Sequence, residues 1–155
     1  MSGSTADFQA TGVSADDVAS AVYALLFGDA TLAGATYLTT SDNIWKSKPP
    51  RKADLPRVVI VASDAIPNEV NHYTVTVDIE MRVRNVGDGT QPDSSLLARL
   101  EKRLLALLPG IGTLTRIGFR FFDVFHEITG PVLAELGEPE ESFQTARFSV
   151  DVRAS

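Results

Sequence analysis

Between His72 and Arg84 the chain alternates without a break. Tyr73, Val75, Val77, Ile79, Met81 and Val83 are apolar, and His72, Thr74, Thr76, Asp78, Glu80, Arg82 and Arg84 between them are polar or charged. A strand turns successive side chains to opposite faces, so the pattern dictates one buried face and one that is wet or forms an interface. At roughly 3.3 Å per residue such a strand runs about 35 Å, well past the usual length of about five or six residues. A long, one-sided, antiparallel strand suits a scaffold or assembly subunit better than a buried catalytic sheet.

The rest of the composition narrows the class. A chain of 155 residues fits one domain and can bury a core without staples. Hydrophobic residues at 44% and charged residues at 22% are ordinary for a soluble globular protein. There are no cysteines, which removes disulfides, thiolate nucleophiles and thiolate metal sites together, and is compatible with the cytoplasm. Fourteen basic against twenty acidic residues give a net charge of −6, the wrong sign for gripping phosphate backbones. Met1 to Thr11 is small and polar, without the basic start and apolar run of a secretory signal. No apolar stretch approaches the roughly 20 residues that span a bilayer. The expected organisation is a flexible N-terminal tail over 1–13 and one domain over 14–155, with no membrane contact.

Ser14 with Asp17 three residues later reads as a capping box, and Val18, Val22, Leu25 and Leu26 follow at helical spacing up to Gly28. A short helical turn is expected around Thr31 to Ala35. Periodicity is then lost over a long loop, 39–56, punctuated by Pro49, Pro50 and Pro56 and carrying Trp45, Lys46, Lys48, Arg51 and Lys52. Loops this long are uncommon in compact domains and often functional. A Trp among cations is a candidate anchor for a protein partner, since Trp and Arg are enriched at interface hot spots. The alternative is a Trp folded back over the core edge beside solvated lysines.

The run Val58 to Val61 reads as a buried central strand, joined to the alternating strand through a turn over Asp64 to Glu69. Pro92, Asp93 and Ser94 open a second helix, whose stripe is Leu96, Leu97, Leu100, Leu104, Leu107 and Leu108 and which Pro109 and Gly110 stop. Ile117, Phe119 and Phe121 alternate until the phase shifts near Phe122, where a bulge is expected. Ala146, Phe148, Val150 and Val152 mark a closing strand. Between these lies an acidic segment with Glu135, Glu138, Glu140 and Glu141, read as a solvated hairpin loop or an interaction surface. The expected fold is α+β: a mostly antiparallel sheet of four strands or slightly more, two main helices on one face, order αββαββ.

Chemistry is sparse. His72 and His126 are the only histidines and have no metal-ligand spacing, and no Gly-x-Ser-x-Gly elbow is present. Gly87, Asp88 and Gly89 lack the rest of a phosphate loop. Asp78 and Glu80 share one strand face, but Arg82 and Arg84 continue it, and cross-strand charge pairing explains the set more simply than acid/base catalysis. No catalytic residue, cofactor or metal is expected.

The ordered set resembles the tail terminator proteins of long-tailed phages, the lambda-like tail terminator and tail-completion proteins. It comprises the early amphipathic helix, Leu55-Pro56 before a valine-rich strand, the alternating strand from Tyr73, the Pro92-Asp93-Ser94 helix start and the closing strand. The likeness covers roughly Ser14 to Arg153. The Trp-bearing loop and the Gly130 to Glu141 insertion depart from it.

What the resemblance implies is a siphovirus virion protein of the head-proximal tail end, assembled in the host cytoplasm and not an enzyme. It would form a homohexameric ring, stop polymerisation of the tail tube and offer the head its docking surface. Its partners would be itself, the tail tube protein and a head-tail connector or neck protein, with DNA passing through without tight binding. Interface candidates are Trp45, Lys46, Lys48, Arg51, Lys52, Asp78, Glu80, Arg82 and Arg84; candidates for a lumen or partner surface are Glu138, Glu140 and Glu141. Three other readings stay open: a different head-tail connector or neck protein, a small α/β enzyme, and a generic adaptor domain.

Overall fold

The computed structural model of the chain describes residues 12–50, 53–69, 72–135 and 138–155. The tail expected over 1–13 falls outside them up to Thr11, as do Arg51 and Lys52. Helix α1, Ala15–Phe27, begins as its sequence dictates. Ser14 Oγ accepts from the Asp17 amide at 3.2 Å, and Asp17 Oδ2 accepts from the Ser14 amide at 3.1 Å. Gly28 caps the other end. Helix α2, Ser94–Leu107, is capped by Asp93, whose Oδ1 accepts from the Leu96 amide.

Among the described residues, eight strands run between these helices and after them: β1 Ile44–Trp45, β2 Arg57–Ala62, β3 Ile66–Glu69, β4 His72–Arg84, β5 Gly110–Ile111, β6 Phe119–Thr129, β7 Leu133–Glu135 and β8 Glu138–Ala154. They form one sheet of order β1-β2-β4-β8-β6-β5, with β3 added beside β4 and β7 beside β8. β1 and β2 are parallel; the other pairs are antiparallel.

This corrects the expected four-stranded sheet and its αββαββ order. The reason is backbone pairing. Segments with turn composition lie along the free edges of longer strands and are drafted into the ladder, whatever their side chains prefer. The supposed turn over Asp64 to Glu69 contains β3, paired with the start of β4. The acidic segment is partly strand: β7 runs to Glu135, β8 already begins at Glu138, and β8 pairs with β4 as far as Arg84 opposite Glu141. The short helical turn expected around Thr31 to Ala35 is present as hydrogen-bonded turns, the Ala33 amide donating to the Asp29 carbonyl and the Gly34 amide to that of Thr31, and this segment with the turns after it plugs Leu32 and Leu38 fully into the core.

The alternating strand is the spine. Val75, Val77, Ile79, Met81 and Val83 are buried, and β8 sets Val150, Phe148 and Ala146 opposite Val75, Val77 and Ile79. Val18, Val22 and Leu26 of α1 and Leu97, Leu100 and Leu104 of α2 close over that same face in one cluster. Each such buried side chain contributes about 1.5–3 kcal/mol before chain entropy is counted. Of the run expected to be wholly buried, Val58, Val59 and Ile60 are, whereas Val61 is 55% exposed. The bulge expected near Phe122 is present, as a register shift between Phe121 and Val124.

Candidate functional site

Both helices occupy one face of the sheet, so the other is the place to look for function. Register assigns its residues. Val61, Asp78, Arg147 and Ile128 lie side by side across β2, β4, β8 and β6. In the next row Thr76 and Ser149 neighbour Phe125, and in the one after that Ile66 stands beside Thr74 and Asp151. Val61, Ile66, Phe125 and Ile128 are all more than half exposed. The face is thus a polar centre two strands wide, with exposed apolar side chains on both flanks. Apolar patches rimmed by polar groups mark association surfaces.

The polar centre is internally paired. Arg147 Nε donates to Asp78 Oδ1 at 2.8 Å and its Nη2 to Asp78 Oδ2 at 3.1 Å. That contact holds the Arg147 guanidinium above its ordinary range, chiefly through the hydrogen bonds. Thr74 Oγ1 donates to Asp151 Oδ1 at 3.1 Å.

Toward the Arg84 end the face closes. Trp45, Val59, Glu80 and Thr145 form one row, and Arg57, Arg82 and Phe143 the next. The Arg82 side chain is only 7% exposed. Its Nε meets Glu80 Oε1 at 3.0 Å, its Nη1 meets Glu141 Oε2 at 3.4 Å, and its guanidinium lies 4.5 Å from the centre of the Phe143 ring. Arg57 is also buried and donates through Nη1 to the Ala53 carbonyl.

The sequence candidates therefore separate. Trp45 joins Asp78, Glu80 and Arg82 on one face, although half-buried, with its indole Nε1 buried and unpartnered. Lys46 turns to the helix side, pairing with Asp16 at 3.2 Å and Ser20 Oγ at 3.0 Å. Lys48 is exposed. Arg84 is exposed at the end of β4, and Glu140 is exposed on β8. Glu141 is engaged by Arg82, while Glu138 opens β8.

One group was not singled out in the sequence. At the other end of the face, Arg120 of β6 stands directly opposite Arg153 of β8. Their guanidinium carbons lie 5.5 and 5.9 Å from the centre of the Phe122 ring, and His72 stacks on that ring at 4.8 Å. Each Arg occupies the polar phase of its strand, but only the register brings them together.

No protein-family model matches the chain, and no curated protein matches it. Solved structures do. A chain of the virion of a native gene transfer agent (GTA) particle is similar with a TM-score of 0.62 and 15% sequence identity, over 92% of this chain and 98% of that one. At that identity the likeness is one of fold.

Proposed function

We propose that this chain is a non-enzymatic structural component of a phage-like virion. Within it, the chain forms a homohexameric ring on the head-proximal end of the tail tube, ends tube polymerisation and presents the surface to which the head docks. The observation that carries this reading is the fold likeness to a GTA virion chain, which spans nearly the whole of both proteins.

The uncovered sheet face supports it. Val61, Ile66, Phe125 and Ile128 offer apolar area for a neighbouring subunit or the tube protein, and the Asp78–Arg147 pair between them gives that contact register. Ring contacts are heterologous, with different patches meeting on successive copies. A net charge of −6 suits a subunit past which DNA must slide without sticking. The tail tube protein and a connector or neck protein are the remaining partners, and the virion tail is the location.

Negative-stain images of the purified protein test the ring: six-fold classes are expected, and particles of monomer size at every concentration would contradict it.

A further inference from the structure

The Arg120–Arg153 pair is anomalous for a structural feature. Like charges set directly opposite on neighbouring strands oppose folding. Among the described residues neither Arg has an ion pair. Asp151, two residues before Arg153 on the same face of β8, accepts from Thr74 Oγ1 instead. Arg153 Nε is buried without a hydrogen-bond partner. Phe122 sits inside the register shift between Phe121 and Val124, and such bulges re-aim side chains beside functional sites. Its ring gathers both guanidinium groups, whose carbons lie 5.5 and 5.9 Å from its centre, and His72 stacks on it at 4.8 Å. Arg120 is exposed and Arg153 and His72 are half-buried, so solutes reach the cluster.

We infer that this cluster binds a phosphate group. The count of charges and oxygens selects that ligand. One guanidinium takes both oxygens of a carboxylate in a two-pronged contact, which leaves the second Arg of the pair unmatched. A phosphate group has oxygens enough to meet two such forks, and a terminal one carries up to two negative charges to offset two cations. Bound between the guanidinium groups, it turns their opposition into a shared contact. The same chemistry has two sources, the phosphodiester of DNA and the free phosphate ion. The net charge of −6 opposes a grip along many phosphates, but a local pair of cations holds one phosphate against that summed field. One chain carries the whole site, so this inference stands apart from the ring reading.

The test is the phosphorus NMR linewidth of inorganic phosphate at low ionic strength, titrated with the full chain, with thermal melts of every variant. Broadening that saturates with a Kd on the order of 1 mM is expected. Arg120→Gln and Arg153→Gln each weaken binding by about 10-fold or more, as for loss of a charge-assisted, two-pronged contact. Their thermal midpoints hold, because each relieves the like-charge opposition without loss of core. Arg153→Lys keeps the charge without the fork and binds more weakly than wild type. An adventitious ion only, seen as broadening equal in wild type and both Gln variants, would overturn the site, and so would no broadening at all. Acetate that displaces phosphate as well as sulfate does would overturn the choice of ligand. Fluorescence anisotropy with a short DNA duplex separates the two sources, either of which upholds the site. Duplex binding that phosphate competes away and the Gln variants lose assigns it to the DNA backbone; phosphate binding without duplex binding assigns it to the free ion.

Discussion

Asp78 and Arg147 are direct cross-strand partners that meet through two hydrogen bonds, 2.8 and 3.1 Å, midway between the exposed side chains of Val61 and Ile128. Exposed ion pairs contribute little to stability but can fix which surfaces meet. Arg147→Glu should therefore leave the thermal midpoint within a few degrees of wild type while weakening assembly, measured by light scattering. Val61→Lys or Ile128→Lys, on the same row, should do the same. A melt lowered by ten degrees or more would mark the row as structural.

Arg82 is expected to behave in the opposite way, although it lies on the same strand face. It is buried and bonds both Glu80 and Glu141, so Arg82→Met removes the cation that those two carboxylates share. A loss of about 2–4 kcal/mol is expected, somewhat below that for breaking a fully buried pair because both acids keep some solvent. Combining Arg82→Met with Glu80→Gln and Glu141→Gln should recover much of it in urea denaturation.

The Asp29–Arg103 pair predicts an acid limb to stability. Arg103 Nε and Nη2 donate to Asp29 at 2.9 and 2.6 Å, and the Leu32 amide donates to it at 2.8 Å, which fastens the turns after α1 to α2. The Arg103 hydrogen bonds hold the Asp29 carboxyl below its ordinary value of 3.8, against the opposing effect of burial. A depressed folded-state value stabilises above the unfolded value and is lost as pH falls through the folded one. Asp29→Asn should cost about 1 kcal/mol at neutral pH, or roughly 2–4 °C in a chain of this size. The gap to wild type should hold down to about pH 4.5 and close at lower pH.

Trp45 is half-buried in the row with Val59 and Glu80, and its Nε1 is sealed off without a partner. Trp45→Ala should cost about 2 kcal/mol, less than the about 3–5 of a fully buried Trp. Trp45→Phe removes the unpartnered donor while keeping a ring, and should stay within about 1 kcal/mol of wild type. Any assembly defect of Trp45→Phe then reports on contact and not on folding.

Legibility in the sequence followed local physics. The capping box at Ser14, the leucine stripe behind Asp93 and the alternation from Tyr73 are rules of one element, and each marks its element in the structure. What the sequence concealed was pairing. Glu138 to Glu141 has little intrinsic preference for a strand, yet it extends β8 because β4 offers the edge and Arg82 offers Glu141 a cation. Leu32 and Leu38 lie in turns without periodicity, so nothing marked them as core. The same limit applied to function: Trp45 and Glu80 lie 35 positions apart and share a row only through β2. Arg120 and Arg153 show their opposition only once β6 and β8 are in register.

The most direct test of the tail-end reading is the length of tails in particles whose copy of this gene is deleted, measured by electron microscopy. The expected result is overlong tube polymers that lack heads and are shortened to uniform length when the wild-type chain is added back. Tails of normal, uniform length lying unattached beside full heads would contradict termination and assign the chain to the neck.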